Sequence, residues 1–219
     1  MNDTTISAVV FDLDGLLIDS ESLQQWAWRE YASRHGKTLE PDMFHQMLGM
    51  RNVDAVEIAI RLLELPVTGD VALRDRDAIF LAAVPGAILP LPGAIELIEM
   101  LRSQGIPLAL ATSGHRRYVD LALESAGLAN LFDVEVTADL VTRGKPDPEV
   151  YLQAARLLDI APQHCLALED APNGILSAKA AGMMCFAVPG ETDQPLDYSA
   201  ADAVLGSLAE VVGEMGRRT

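Results

Sequence analysis

The sequence predicts an α/β fold: a doubly wound, Rossmann-like parallel sheet into which an α-helical domain is inserted. Three observations carry the prediction. Short apolar runs without polar alternation, the pattern of strands covered on both faces, alternate with helical segments. Glycines follow the last periodic residue of several of those segments, where a helix end favours a left-handed residue. Between the first two apolar runs, from Asp19 to about Val84, the periodicity is helical and no convincing strand occurs.

The elements follow in order. Ser7–Phe11 ("SAVVF") reads as the first strand and runs directly into Asp12 and Asp14, with Gly15 behind them. The insertion contains "ESLQQWAWREYASRHG", "NVDAVEIAIRLLE" and "ALRDRDAIFLAAV", all at helical spacing. Trp26 and Trp28 are two positions apart and face different sides of their helix, so at least one belongs to the insertion's core. Pro85, Gly86, Pro90, Pro92 and Gly93 mark the return linker. Ile106–Ala111 is the second strand, His115–Ala126 a helix ending at Gly127, and Val134–Ala138 a further strand. The helix Pro148–Leu158, the strand Cys165–Leu168, the helix Ile175–Ala181 ending at Gly182, and the strand Met184–Val188 complete the core. The predicted division is therefore residues 1–18 and 88–219 as the α/β core, and 19–87 as the helical domain. An insertion leaving the carboxyl end of the first strand, where open α/β sheets place their ligands, is expected to sit over the site.

Composition narrows the function. With 219 residues the chain exceeds one ordinary domain and falls short of two, and with 50% apolar and 22% charged residues it belongs with packed globular proteins. Acidic residues outnumber basic ones 32 to 16, for a formal charge of -16. Nucleic acid and anionic membranes would be repelled, so an anionic ligand needs a local device to hold it. Cys165 and Cys185 lie in apolar stretches and are too few for a disulfide framework, so both read as buried thiols of a reducing compartment. "MNDTT" is no leader, and Pro and Gly interrupt every long apolar stretch, so a cytoplasmic protein with no membrane span is expected.

Two carboxylates at i and i+2 point the same way on an extended chain and raise each other's pKa unless a cation intervenes. Mg²⁺ is the natural remedy, since it takes one or two carboxylates together with water and phosphate oxygens. An aspartate beside such an ion can attack phosphorus, while a second carboxyl protonates the leaving oxygen. An EF-hand loop fails here, because Leu16 and Leu17 stand where an oxygen ligand and a glycine are needed and a strand precedes them. A glycosidase pair usually comes from separate segments. A plain turn with solvated aspartates remains open for this stretch alone.

Three further stretches bear on the choice. In "ATSG", the Thr112 hydroxyl and the Ser113 and Gly114 amides can bond phosphate oxygens at the start of the next helix, although the same residues make an ordinary helix cap. In "RGKPDPEVY", Lys145 precedes two prolines, and its compact ammonium suits the neutralising of phosphate and nucleophile together. In "LALEDAPNG", a buried strand runs into Glu169 and Asp170, which either complete a metal site or cap the following helix.

"FDLDGLLIDSE" resembles the opening motif of the haloacid dehalogenase superfamily, in its phosphatase and phosphomutase branch. "LALATSG", "GKPDPEVY" and "LALEDAPNGILSAKAAGM" resemble the second, third and fourth motifs, in the family's order and across nearly the whole chain. The resemblance implies Asp12 as nucleophile, Asp14 as general acid and base, and Thr112, Ser113 and Lys145 as phosphate binders. It also implies Mg²⁺ held by the Asp12 carboxylate, the Asp14 carbonyl and Asp170, with Glu169 bound directly or through water, and the insertion as a small helical cap.

The function so implied is a Mg²⁺-dependent phosphatase of small phosphorylated metabolites, sugar phosphates first, acting through an aspartyl phosphate. A β-phosphoglucomutase-like phosphomutase is the nearest rival. Those mutases carry a histidine ten residues after the second aspartate, where this chain has Gln24. A dehalogenase proper lacks an acid at the place of Asp14, and a receiver module is shorter and carries its phosphoacceptor on another strand. In the cap, Gln24, Arg51 ("LGMRNVDAV"), Arg74 and Arg76 ("LRDRD") are the candidate substrate contacts, against solvated surface charge as the competing reading of the arginines, which weighs more for Arg74 and Arg76. His115, Arg116 and Arg117 are expected near the pocket. A monomer or weak homo-oligomer is expected.

Overall fold

The computed structural model describes residues 5–47, 52–190 and 196–218. The chain divides into two compact units, Met1–Asp19 with Leu89–Thr219, and Ser20–Ile88. Among the described residues the strands are β1 (Ala8–Phe11), β2 (Leu108–Ala111), β3 (Val134–Val136), β4 (Cys165–Glu169), β5 (Met184–Ala187) and β6 (Ala203–Val204). The helices are α1 (Glu21–Arg34), α2 (Pro41–His45), α3 (Asn52–Leu63), α4 (Gly69–Ala83), α5 (Ala94–Ser103), α6 (Arg116–Ser125), α7 (Glu149–Leu158), α8 (Pro172–Ala180) and α9 (Val211–Arg218). The first four helices form the second unit.

All strands of the first unit pair in parallel, in the order β3-β2-β1-β4-β5-β6. β1 is central, with Val10 opposite Ala109 on one side and Ala167 on the other. The winding reverses between β1 and β4, so their carboxyl ends flank the place where an open α/β sheet leaves a crevice. The two faces of the sheet differ in bulk. Ala8, Val10, Ala109, Ala111, Ala167 and Ala187 lie in one buried cluster with Val150, Tyr151, Ala154 and Ala155 of α7 and Ile175 and Ala178 of α8. Strand side chains are small there, and the helices supply the volume. Val9, Phe11, Leu108, Leu110, Leu166, Leu168 and Phe186, also fully buried, alternate onto the opposite face, where Phe11 meets Phe132 edge to face at 5.8 Å.

β2 starts at Leu108 rather than Ile106, because Pro107 has no amide to give a ladder. β6, absent from the sequence expectation, is two residues at the sheet edge, with Val204 56% exposed. Both cysteines are free and buried, and burial pushes the Cys165 thiol up to about 11. Among the described residues no helix is long and apolar enough to cross a membrane.

In the second unit, α4 packs against α1 and α3. Ala27, Trp28, Tyr31 and Ala32 of α1 are buried, as are Ala72, Arg76, Ile79 and Phe80 of α4. Trp28 is 4% exposed and Trp26 45%, as their two-residue offset requires. Arg76 corrects a sequence expectation. It is 5% exposed, with its guanidinium 5.1 Å from the Trp28 ring centroid and 5.3 Å from that of Phe80. Stacking on two aromatic faces offsets part of the cost of burying it, and Asp77 Oδ1 accepts from it at 2.8 Å. Arg74 is exposed beside Asp75, as expected.

Candidate active site

Strand parity fixes the first part of the site. Asp12 continues the alternation of Ala8 and Val10, and Glu169 that of Cys165 and Ala167, so both carboxylates project toward the α7–α8 face. The backbone holds them there: the Asp12 amide donates to Leu168 O at 3.0 Å, and the Val188 amide to Glu169 O at 2.7 Å. Asp12 is 7% exposed and Glu169 1%.

Lys145 enters from the loop before α7. Its ammonium donates to Asp12 Oδ1 at 2.5 Å and to Glu169 Oε1 at 2.6 Å, and its side chain is only 9% exposed. The loop is anchored at several points. The Glu149 carboxylate accepts from the Thr142 amide at 2.9 Å and the Arg143 amide at 3.0 Å, and Ser177 Oγ donates to Asp147 O at 2.6 Å. Tyr151, quoted within the third motif without a role, donates its phenol to Glu169 Oε1 at 2.5 Å. A hydroxyl on the otherwise apolar buried face of α7 was the signal that a polar partner lay opposite.

Asp170 stands beside this pair. Ligand oxygens of Asp12, Glu169 and Asp170 all lie within 4.8 Å of one another. Two glycines make room for them: a Cβ on Gly15, whose φ is +83°, would overlap the Asp170 carboxylate, and one on Gly174 would overlap that of Glu169. Burial, reinforced by Glu169 and Asp14 and opposed by Lys145, pushes the Asp12 carboxyl up to about 7. Burial, reinforced by Asp12 and Glu169, pushes Asp170 up to about 8. Burial alone would lower the Lys145 pKa, yet the two acids it touches outweigh this and raise it, so the ammonium stays charged. Three carboxylates against one ammonium leave negative charge uncompensated, and that excess adds to burial in driving the two aspartates up.

This donor set fits a hard divalent cation. It offers clustered carboxylate oxygens, short of charge compensation and free of soft ligands, as Mg²⁺ prefers. Glu169 is the most committed of the three, since its Oε2 also accepts from the Asp170 amide at 3.2 Å. The Asp14 carboxylate is not in the cluster; it is half-buried and accepts a hydrogen bond from the Tyr118 phenol.

Thr112 and Ser113 follow β2 and, with Thr142, Gly144 and Lys145, line a cavity of about 150 Å³. Thr112 is 1% exposed and Ser113 exposed. The Gly114 amide and the α6 N-terminus, both expected to face phosphate, bond within the chain. The Gly114 amide donates to Thr112 Oγ1 at 3.0 Å, closing a local turn. Asp139, in the 3₁₀ turn Ala138–Leu140, accepts from the Arg116 amide at 2.6 Å and also meets His115 Nδ1 at 3.1 Å. A carboxylate of the chain itself thus occupies the helix N-terminus. The Arg116 guanidinium turns to Glu135 at 2.5 Å and Asp120 at 2.9 Å.

Of the candidate cap residues, Gln24 is half-buried and accepts from the Arg76 guanidinium through Oε1. Arg51 lies outside the described residues.

A family model described as haloacid dehalogenase-like hydrolase matches residues 6–182. The chain is 36% identical over 214 residues to hexitol phosphatase A of Escherichia coli (strain K12), covering 92% of this chain and 91% of that one. It is 35% identical over 202 residues to validoxylamine A 7'-phosphate phosphatase of Streptomyces hygroscopicus subsp. limoneus, covering 92% and 94%. Among solved structures, CbbY from Rhodobacter sphaeroides in complex with phosphate aligns with a TM-score of 0.81 at 30% identity, covering 94% of this chain and 96% of that chain.

Proposed function

The chain belongs to the haloacid dehalogenase-like hydrolase family, and from that premise we propose that it is a Mg²⁺-dependent phosphatase of small phosphorylated metabolites, sugar phosphates first, acting through an aspartyl phosphate on Asp12. The observation that carries this reading is the buried Lys145 ammonium bonded at once to Asp12 and Glu169, with Asp170 beside them and the Thr112–Ser113 cavity adjoining. Relatives named as phosphatases, matched over more than nine-tenths of both chains, support the reaction class and the choice of substrate class.

Asp12, Asp170 and the Asp14 carbonyl would hold Mg²⁺, with Glu169 as a direct or water-mediated ligand, and the ion would supply charge neutralisation for phosphoryl oxygens and nucleophile. Lys145 keeps the Asp12 carboxylate oriented and adds fixed positive charge where the phosphoryl group must dock. Thr112 Oγ1 accepts from the Gly114 amide, which leaves its own O–H to donate to a phosphate oxygen. An Asp12 oxygen bonds to phosphorus as the ester P–O bond breaks, and Asp14 gives its proton to the departing oxygen. Asp14 then takes a proton from water as the water oxygen bonds to phosphorus, the Asp12–phosphorus bond breaks, and inorganic phosphate leaves. The helical unit, through Gln24 and Arg51, is assigned the choice of leaving group. Two free, buried cysteines support a cytoplasmic location.

A panel of hexose, hexitol, pentose and triose phosphates, assayed for inorganic phosphate with Mg²⁺ and with a chelator, tests the reading. Release from at least one sugar or sugar-alcohol phosphate with Mg²⁺, abolished by the chelator, is expected. No release from any of them contradicts it.

A further inference from the structure

We infer that Tyr118 is a positioning residue for Asp14, fixing the direction of its carboxyl group; the inference rests on the acid–base role proposed above for Asp14. Tyr118 and Asp14 are 104 positions apart, and the phenol donates to Asp14 Oδ1. A free aspartate side chain turns about two torsions, and its oxygens are equivalent. A donor fixed on Oδ1 removes that equivalence and restricts the torsions through which the carboxyl group can present a proton.

The phenol is well placed to act as such a reference point. The Tyr118 ring is 9% exposed. It lies against Gly114, where a Cβ would come within 2.9 Å of Cδ1 and 3.3 Å of Cε1, so the glycine is what lets the ring approach the loop. The surrounding backbone is tied on both sides: the Tyr118 amide donates to His115 O at 2.9 Å, and the Ala138 amide to Gly114 O at 2.9 Å. Asp139, bonded to the Arg116 amide at 2.6 Å, fixes the same turn of α6. Asp14 sits at the mouth of its own tight turn, where the Gly15 amide donates to Ile18 O at 2.9 Å. A rigid donor meets a side chain whose direction decides whether a proton can be delivered.

In the first half-reaction the Asp14 proton passes to the ester oxygen as the Asp12 oxygen bonds to phosphorus and the ester P–O bond breaks. In the second, the Asp14 carboxylate receives a proton from water as the water oxygen bonds to phosphorus and the bond from the Asp12 oxygen to phosphorus breaks. Tyr118 keeps its own proton throughout and acts through Asp14.

Tyr118→Phe removes only the hydroxyl, and two aryl phosphates separate positioning from packing. Phenyl phosphate has a basic leaving group that needs a proton, whereas p-nitrophenyl phosphate departs without one. The variant is expected to lose about tenfold in kcat/KM on phenyl phosphate, through kcat with KM within about twofold, and less than about twofold on p-nitrophenyl phosphate. In an Asp14→Asn background, adding Tyr118→Phe should change phenyl phosphate turnover by less than about twofold. Equal losses on both substrates, a full-size effect in the Asp14→Asn background, or an unimpaired Tyr118→Phe each overturns the inference. Asp14→Asn at the wild-type rate removes the acid–base reading itself and the inference with it. Gly114→Ala, which crowds the ring yet keeps the hydroxyl, is the second variant should Tyr118→Phe fold poorly. The same leaving-group dependence supports the inference, and its absence overturns it.

Discussion

Lys145 and Asp12 form a buried ion pair at 2.5 Å across 133 positions of chain. The pair exists because β1 and β4 are hydrogen-bonded neighbours: their parity aims Asp12 and Glu169 at one face, and the anchored loop before α7 brings the ammonium between them. Such an arrangement is costly unless every charge is met.

Replacing the cation by an apolar residue of similar length therefore leaves two acids buried without it. Lys145→Met is expected to lose at least about 100-fold in kcat. In chelator at neutral pH it is expected to be destabilised by about 3–5 kcal/mol, the range for breaking a buried pair on one side. Urea denaturation checks the second figure, and a variant within about 1 kcal/mol of wild type would show the pair to be energetically idle.

The acid cluster also dictates how metal-free stability varies with pH. Asp12 and Asp170 are raised to about 7 and about 8 from 3.8, so between those values the folded protein binds more protons than the unfolded chain. Stability contributed by the two groups is present in full below the ordinary carboxylate range and is lost as pH rises through their folded values. Without metal, the melting temperature should fall between about pH 5 and pH 8. Mg²⁺ replaces those protons and should raise it more at pH 8 than at pH 5. A melting temperature in chelator that climbs with pH over this window would contradict the charge balance described here.

Gly15 has no Cβ where the Asp170 carboxylate lies, and its φ of +83° is strained for any other residue. Gly15→Ala should raise the Mg²⁺ concentration for half-maximal activity by at least about tenfold, with a backbone cost of about 1 kcal/mol. Metal titration of activity measures this, and an unchanged Mg²⁺ requirement would separate Asp170 from the metal.

Gln24 is the position at which phosphatase and mutase are expected to diverge. Its amide oxygen is engaged by Arg76 and offers no imidazole to favour a returning sugar hydroxyl. With β-glucose 1-phosphate and a glucose bisphosphate primer, inorganic phosphate should be released faster than glucose 6-phosphate forms. Isomerisation with little phosphate released would make the mutase the better account.

Much of the sheet was legible in the sequence because strands buried on both faces leave an unbroken apolar run, as Ala8–Phe11 and Cys165–Leu168 do. β6 was not, being two residues at an edge with no pattern long enough to read. Asp12, Lys145, Glu169 and Asp170 were legible as chemistry-bearing types at strand ends and in a stiffened loop. Their second contacts were not. Nothing in "HRRYVD" announces that the Tyr118 phenol meets Asp14, since that contact depends on where β2 places α6 relative to the turn after β1. Arg76 misled for a related reason: alternating charge in "LRDRD" reads as solvated, but helix packing put this one guanidinium between two aromatic rings. The α6 N-terminus looked free for a ligand until the fold brought Asp139 to it.

Rapid quenching shows whether a phosphoryl group passes through Asp12. Asp14→Asn is mixed with p-nitrophenyl phosphate and Mg²⁺, a pairing in which the first step needs no proton while the second is deprived of its base. Acid quench, borohydride reduction and peptide mass analysis then locate the acyl phosphate. A near-stoichiometric phosphoryl group on Asp12 is expected, absent when Asp12→Asn is added. Release of p-nitrophenol with no phosphorylated protein, or with the label on another residue, would contradict it.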